Sequence, residues 1–155
     1  MKIVEHEITY AQKLWSEWVI RIGKTFLQKG DYVYEAREMI CSLYGYDEGV
    51  VLFKPTKARE NQFRLTKESA VSYLVGGNDK YPEDHGFLLH PWENVRFENA
   101  GFIFKNDYAV AMGNYFFVDM KKEELKVEFT LGYFRSEGGT LKINLHHSSL
   151  PYCSR

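Results

Sequence analysis

Two β-rich segments near the C-terminal end, Leu125–Arg135 and Thr140–Ser149, are separated by the sequence Ser-Glu-Gly-Gly at positions 136–139. A short polar turn between two such segments predicts an antiparallel hairpin. In the second segment Leu141, Ile143 and Leu145 alternate with polar residues, so these side chains are expected on the face that packs on a core. This hairpin constrains the fold most, because it requires a sheet with one buried face.

The end of the second strand carries a histidine and a serine on that face. Continuing the alternation places His147 and Ser149 on the buried side and His146 and Ser148 on the other. Such a pair is typical of a pocket floor, although a histidine there is more often a core residue bonded to backbone. If residues 136–139 form a four-residue loop, Glu128 pairs opposite His147 and could orient its imidazole. That Glu128 is only an exposed carboxylate on the strand is an equally good interpretation.

The first half of the chain predicts three helices. Their expected ranges are about Glu7–Gln28, Tyr32–Leu43 and Lys67–Leu74, with Gly30 ending the first and Asp31 and Thr66 capping the others. Trp15 and Trp18 lie on the apolar stripe of the first helix. Both indoles are therefore expected in the core, against a sheet.

Strands dominate the second half. A short strand is expected at about Val50–Phe53, residues 78–94 form a long loop, and further strands follow at about Val95–Glu98, Gly101–Phe104 and Tyr108–Asp119. Helices followed by antiparallel strands indicate the α+β class. We predict one domain over residues 1–155, in which a curved sheet wraps around the first helix and leaves an internal cavity.

Composition excludes several classes of protein. The 20 basic and 21 acidic residues give a net charge of −1, so a non-specific nucleic-acid binder is not expected. Cys41 and Cys153 do not make a disulfide framework. There is no apolar run of about 18 residues and no apolar leader, which predicts no membrane association and a cytoplasmic protein.

The predicted cone with an internal pocket is similar to the nuclear-transport-factor-2-like superfamily. Within it, ordered blocks over about residues 15–152 resemble the iota-class carbonic anhydrases. The blocks are Phe53–Ala58, Gln62–Arg64, Ser72–Gly77, Glu83–Phe87, Pro91–Trp92, Met112–Tyr115, Val127–Tyr133 and Leu145–Tyr152. The last contains His-His-Ser-Ser, which is the signature of that class.

The resemblance implies reversible hydration of carbon dioxide to bicarbonate in the pocket. Carried over block by block, it implies the catalytic residues Thr56, Tyr73, His147 and Ser149, with Glu128 supporting them. The three hydroxyls would bind the substrate, since neutral hydroxyls donate and accept hydrogen bonds. His147, with an ordinary imidazole pKa of about 6.5, would orient water or move a proton.

The histidines favour a reaction without metal. Members of the class differ, some being described with manganese and others with none. His146 and His147 are neighbours on a strand, so their side chains leave on opposite faces. The others are His6, His85 and His90. One histidine and three hydroxyls in the pocket are too few good ligands for zinc or manganese, and no cofactor is expected.

The superfamily also implies a homodimer through the outer face of the sheet, where alternation places the polar residues Asn144, His146 and Ser148. Two other functions remain open from the sequence. One is a different small-molecule enzyme of isomerase type, for which only His147 with Glu128 would serve as the usual pair. The other is an oligomerisation module like kinase-association hub domains.

Overall fold

The computed structural model describes residues 1–154, with three α-helices and one five-stranded sheet. The elements are α1 (Glu5–Leu27), α2 (Tyr32–Leu43), β1 (Leu52–Lys54), α3 (Lys67–Val75), a 3₁₀ turn (Phe87–Leu89), β2 (Trp92–Lys105), β3 (Tyr108–Asp119), β4 (Glu124–Arg135) and β5 (Leu141–Ser149). The strand order is β1-β5-β4-β3-β2, with β1 parallel to β5 and the other neighbours antiparallel. The predicted α+β class with a curved open sheet is confirmed.

Helix α1 closes the concave side of the sheet. Its buried residues Ile8, Trp15, Val19 and Ile22 recur at helical spacing and form one stripe. The stripe packs on β2, α2 and the 3₁₀ turn. Trp15 is in the core as predicted, whereas Trp18 is half-buried at the edge of the stripe.

The helix boundaries follow local signals in the sequence. Helix α2 has the predicted range, and α1 and α3 differ from prediction by one or two residues at their ends. The side chain of Asp31 accepts the backbone N–H of Tyr34, and that of Thr66 accepts the N–H of Ser69. Each cap satisfies a backbone donor that the first helical turn leaves free.

The two strands expected at about Val95–Glu98 and Gly101–Phe104 are one continuous strand, β2, and that part of the prediction is wrong. Ala100 is an extra residue between two paired positions, Asn99 with Gly113 and Gly101 with Met112. A β-bulge accommodates one extra residue while strand pairing continues on both sides of it. The first strand is also shifted, from the predicted Val50–Phe53 to Leu52–Lys54.

Aromatic rings fill the space between α1 and the sheet. Trp15 packs against Phe97, Tyr115 and Phe117, with ring centroids 5.5 to 6.0 Å apart. Trp15, Tyr115 and Phe117 belong to a larger buried apolar cluster, and the partly buried Phe97 packs against it. In the part of the chain that the structure describes, no helix is long and apolar enough to cross a membrane.

Candidate active site

The interior face of β5 changes partway along the strand. Gly132 of β4 pairs with Leu145, whereas the next residue, Tyr133, pairs with Ile143. Asn144 therefore has no partner and forms a β-bulge. One extra residue in a strand reverses the alternation of all side chains beyond it.

This bulge overturns the predicted orientation of the histidines and serines. Ile143 points inward before the bulge, and His146 and Ser148 point inward after it, with exposed fractions of 2 % and 1 %. His147 is exposed and Ser149 is half-buried on the outer face. The expectation that His147 and Ser149 line the cavity is wrong, because the strict alternation on which it depended does not hold across Asn144.

Glu128 lies away from the cavity. It pairs with Ser149 rather than His147, and its carboxylate accepts a hydrogen bond from the Ser149 hydroxyl over 3.2 Å. The residue is exposed on the outer face of the sheet. The predicted support of the site by Glu128 is therefore also wrong, and the alternative of an exposed strand carboxylate holds.

A small cavity lies between α1, α3 and the concave face of the sheet. Its volume is about 20 Å³, which is room for about one small molecule. Its walls are Trp15, Phe53, Pro55, Thr56, Tyr73, Leu74, Phe87, Leu88, Tyr115, Phe117, His146 and Ser148. Thr56 and Tyr73 thus line the cavity, as expected from the resemblance. From β5, His146 and Ser148 line it in place of the expected His147 and Ser149.

The polar groups of the cavity form one hydrogen-bonded chain. The hydroxyls of Thr56 and Ser148 lie 2.7 Å apart, and that of Ser148 lies 2.5 Å from the hydroxyl of Tyr115. Tyr115 in turn lies 3.1 Å from Nε2 of His146, whose Nδ1 is 2.8 Å from the hydroxyl of Tyr44. The chain therefore connects the cavity surface with the interior of the core.

Tyr115 in the cavity wall and Tyr44 behind it belong to this hydrogen-bonded chain, and neither was predicted from the sequence. Tyr115 stands in the Met-Gly-Asn-Tyr block, and its place on β3 opposite inward-facing Val127 puts it on the interior face. The sequence could have indicated Tyr115, because side chains alternate without a bulge along this part of β3 and place it on the same face as Ala109 and Ala111. Tyr44 follows the end of α2 and had no signal of this kind.

Backbone groups hold the residues on the β1 side of the cavity. The backbone N–H of Lys57 donates to the Tyr73 hydroxyl over 3.0 Å. The ammonium of Lys54 donates to the carbonyl of Ser148 at 3.0 Å and to that of Thr56 at 3.4 Å. Lys54 thus ties together the two backbones whose hydroxyls meet at the cavity wall.

A buried ion pair supports the loops around Tyr73. The guanidinium of Arg64, with an exposed fraction of 0 %, contacts both carboxylate oxygens of Asp84 at 2.7 and 2.8 Å. The Ser72 hydroxyl donates to the same carboxylate. The guanidinium also lies 5.8 Å from the centre of the Tyr73 ring. These contacts join α3 to the chain segments on either side and thereby orient Tyr73.

Every titratable group of the cavity is neutral. Burial lowers the pKa of His146 to about 3, with a smaller contribution from the neighbouring His147. Burial also raises the pKa of the phenols of Tyr73, Tyr115 and Tyr44. The cavity therefore presents hydroxyl groups and an uncharged imidazole at neutral pH, rather than ions.

A second pocket of about 280 Å³ adjoins the first. Tyr73 and Phe87 line both, and their rings stack with centroids 5.7 Å apart. Lys57, His85 and His90 are on the outer side. The two stacked rings therefore form the wall between the inner cavity and the exposed pocket.

A cone of helices and curved sheet, with a small cavity inside that is bordered by hydroxyl side chains, defines a nuclear-transport-factor-2-like protein with an internal site. A family model described as metal-independent carbonic anhydrase matches residues 6–150. The chain belongs to this family, which confirms the resemblance inferred from the ordered blocks.

Known relatives agree with the family. The chain is 39 % identical over 153 residues to a metal-independent carbonic anhydrase of Nostoc sp., covering 97 % of this chain and 75 % of the relative. The crystal structure of an iota-carbonic anhydrase from a cyanobacterium, complexed with bicarbonate, superposes with a TM-score of 0.95 at 37 % identity, over 99 % of this chain and 95 % of that one.

More distant structures share the fold alone. A nuclear-transport-factor-2-like protein of unknown function from Pseudomonas putida superposes with a TM-score of 0.56 at 18 % identity, over 96 % of this chain and 87 % of that one. The description of the family as metal-independent agrees with the prediction of a reaction without a cofactor. Within residues 1–154, no group of three or more His, Cys, Asp or Glu side chains is placed to hold a metal ion.

Proposed function

We propose that this protein catalyses the reversible hydration of carbon dioxide to bicarbonate in the inner cavity. The observation that carries the proposal is the meeting of the Thr56 and Ser148 hydroxyls, 2.7 Å apart, at the wall of a cavity of about 20 Å³. A space this small suits a molecule the size of carbon dioxide, and favours that reaction over an isomerase with a larger substrate. Family membership and the bicarbonate-bound relative support the same conclusion.

The neutral hydroxyls suggest how water is activated. A hydroxyl accepts a proton on its oxygen while it releases its own. As the water oxygen bonds to carbon, one water proton passes to the Thr56–Ser148 pair, and a hydroxyl proton of that pair passes to an oxygen of carbon dioxide. One C=O π bond is replaced by a C–OH group, and carbonic acid forms. It leaves as bicarbonate after losing a proton to bulk water.

Tyr73 contributes a donor for the charge that develops on the substrate. Its oxygen already accepts the backbone N–H of Lys57, so its own hydrogen is free to point into the cavity. Donors fixed in advance near a developing oxyanion stabilise the transition state, and loss of one typically costs about 10²- to 10³-fold in kcat. We assign Thr56, Tyr73, Ser148 and His146 as the candidate site residues.

A stopped-flow assay of carbon dioxide hydration on the purified protein, with and without chelator, tests the function. We expect activity to survive the chelator, because the family and the neutral hydroxyls need no metal. The turnover number should also not follow an imidazole titration between about pH 5 and 9. Activity lost with chelator and restored by one divalent ion would contradict the mechanism. No activity under any condition would favour an oligomerisation role.

We further propose a homodimer through the outer face of the sheet. His146 and Ser148, on which the dimer prediction partly rested, lie inside the protein and cannot form the interface. Glu128, His147 and Ser149 instead line a shallow pocket of about 380 Å³ there, beside Met112. Donors and acceptors mixed on one face can complement a second copy related by a two-fold axis.

Light scattering at micromolar concentration should give twice the chain mass of 18.2 kDa. Met112→Glu should shift the protein to monomer, because it puts a charge in the interface. Met120→Glu is the matched control, since Met112 and Met120 have exposed fractions of 57 % and 59 % but only Met112 lies on the outer face pocket. A monomeric wild-type protein would contradict the dimer.

We also propose a cytoplasmic location. Cys41 and Cys153 are unpaired thiols, as is usual in compartments kept reducing. Cell fractionation followed by immunodetection of the protein tests this location.

A further inference from the structure

Tyr44 stands behind the candidate site, outside the lining of the cavity. It follows the last residue of α2, and its backbone forms a bridge to Ile143, directly before the bulge of β5. Its hydroxyl oxygen is 3.1 Å from the indole Nε1 of Trp15 and 2.8 Å from Nδ1 of His146. Tyr44 is thus the link between the hydroxyl chain and the deepest part of the core.

The donors and acceptors around Tyr44 can be assigned one by one. An indole N–H only donates, so the Tyr44 oxygen accepts from Trp15. Within residues 1–154, the acceptor in reach of the Tyr44 hydrogen is Nδ1 of His146. A buried hydroxyl hydrogen without an acceptor would cost roughly 1–3 kcal/mol. Tyr44 therefore donates to Nδ1.

The direction of the hydrogen bonds is fixed from His146 to the cavity as well. His146 is neutral and carries one ring proton, which Nδ1 cannot hold while it accepts from Tyr44, so the proton is on Nε2. Nε2–H then donates to Tyr115, Tyr115 to Ser148, and Ser148 to Thr56. The hydroxyl hydrogen of Thr56 has no fixed partner in this series. Each hydroxyl in the series donates its one hydrogen to the next group, which leaves the hydrogen of Thr56 for a molecule in the cavity.

We propose that Tyr44 is a positioning residue: held by the N–H of Trp15, it keeps His146 in the Nε2–H tautomer, fixes the direction of the hydrogen bonds through Tyr115 and Ser148, and so leaves the Thr56 hydroxyl hydrogen to donate to a substrate oxygen. Its effect on turnover rests on the proposed function. The tautomer does not, because it follows from the hydrogen bonds and from the burial that keeps His146 neutral.

Nuclear magnetic resonance of protein labelled with ¹⁵N-histidine tests the tautomer directly. The ¹⁵N shifts of the two ring nitrogens show which one carries hydrogen, and comparison with His146→Gln assigns the pair that belongs to His146. We expect a single Nε2–H form at pH 7. A predominant Nδ1–H form in the wild-type protein would overturn the proposal, whatever the protein's activity.

Tyr44→Phe and Tyr133→Phe form a matched pair of variants. Both tyrosines are buried, but the Tyr133 hydroxyl has no hydrogen-bond partner among the described residues. Tyr44→Phe should mix the two tautomers and lower kcat by roughly 10- to 100-fold, as loss of the hydrogen-bond partner that orients a metal-bound histidine does in metal sites. KM should stay within about twofold, and Tyr133→Phe should change neither tautomer nor kcat.

Equal behaviour of the two variants would overturn the role of Tyr44. If Tyr44→Phe does not fold, the tautomer of the wild-type protein alone decides the assignment. An active wild-type enzyme with an unaffected Tyr44→Phe would refute this inference and leave the proposed function standing. An inactive wild-type protein with the Nε2–H form would refute the proposed function and leave the assigned tautomer standing.

Discussion

Ser148 and Ser149 are neighbours in the chain but lie on opposite sides of the sheet. Ser148 bonds to the hydroxyls of Thr56 and Tyr115 inside the cavity, whereas Ser149 bonds to the carboxylate of Glu128 outside. Replacing either by alanine removes one hydroxyl. The two variants therefore separate the chemistry of the cavity from any general effect at this end of β5.

We expect Ser148→Ala to lower kcat/KM for carbon dioxide hydration by about 10²- to 10³-fold, as for other lost transition-state donors. Ser149→Ala should stay within about twofold of wild type. Stopped-flow measurement of both variants, with circular dichroism to check folding, compares them. A larger loss in Ser149→Ala than in Ser148→Ala would contradict the assignment of the inner serine.

Strand β5 shows why the residue types of the site could be predicted but their positions could not. A run with alternating apolar residues identified the strand, and the ordered blocks identified Thr56 and Tyr73. Which of His146 and His147 faces inward depends on the bulge at Asn144, and a bulge depends on contacts with the neighbouring strand. The sequence did hold one sign of it, because Gly132 interrupts β4 and a glycine inside a strand often marks a bulge.

The helices were easier to predict, because their boundaries depend on adjacent residues. Asp31 and Thr66 cap their helices through bonds to residues three positions on. Such contacts can be inferred from spacing alone. The buried pair of Arg64 with Asp84 joins residues that lie 20 positions apart, and no local pattern indicates it.

Gly132 is required where β4 approaches the bulge. A Cβ atom there would lie 2.8 Å from Cβ of Leu145, and within contact distance of the Tyr108 hydroxyl. We expect Gly132→Ala to lower the free energy of unfolding by roughly 1–3 kcal/mol through overpacking. Because the bulge sets the direction of His146, kcat should fall as well.

Gly101→Ala in β2 is the control for this change, since a Cβ at Gly101 would have no atom within 4 Å. Urea denaturation and the hydration assay on both variants provide the comparison. Unchanged stability and turnover in Gly132→Ala would show that the bulge tolerates a side chain at this position.

The molecule as a whole places an uncharged polar site inside an aromatic core. Helix α1 supplies Trp15, the sheet supplies Tyr115 and Phe117, and the same burial that packs these rings keeps His146 neutral. Stability and function are therefore coupled through one imidazole. The organisation of residues 1–155 as a single domain stays a prediction from length and pattern.

This coupling predicts how stability depends on pH. The pKa of His146 is lowered to about 3 in the folded protein, against about 6.5 in an unfolded chain. Below pH 6.5 the unfolded state binds a proton that the folded state does not, so stability is complete above that pH and is lost as pH falls toward 3. Between pH 7 and 5 the loss from this residue should be about 2 kcal/mol, at 1.36 kcal/mol per pH unit below 6.5.

Urea denaturation at pH 7 and pH 5 measures this loss, and two glutamine variants assign it. His146→Gln should be less stable than wild type at pH 7, but its stability should change little between the two pH values. His147→Gln, altered on the outer face, should keep the wild-type dependence, because its exposed ring needs no dehydration on folding. Carboxylates with a lowered pKa, such as those of Glu83 and Asp119, lose their contribution to the free energy of unfolding mainly below pH 5. They therefore contribute little to the change in stability between pH 7 and pH 5. A pH dependence that persists in His146→Gln and disappears in His147→Gln would show that the outer imidazole, not the buried one, is coupled to folding.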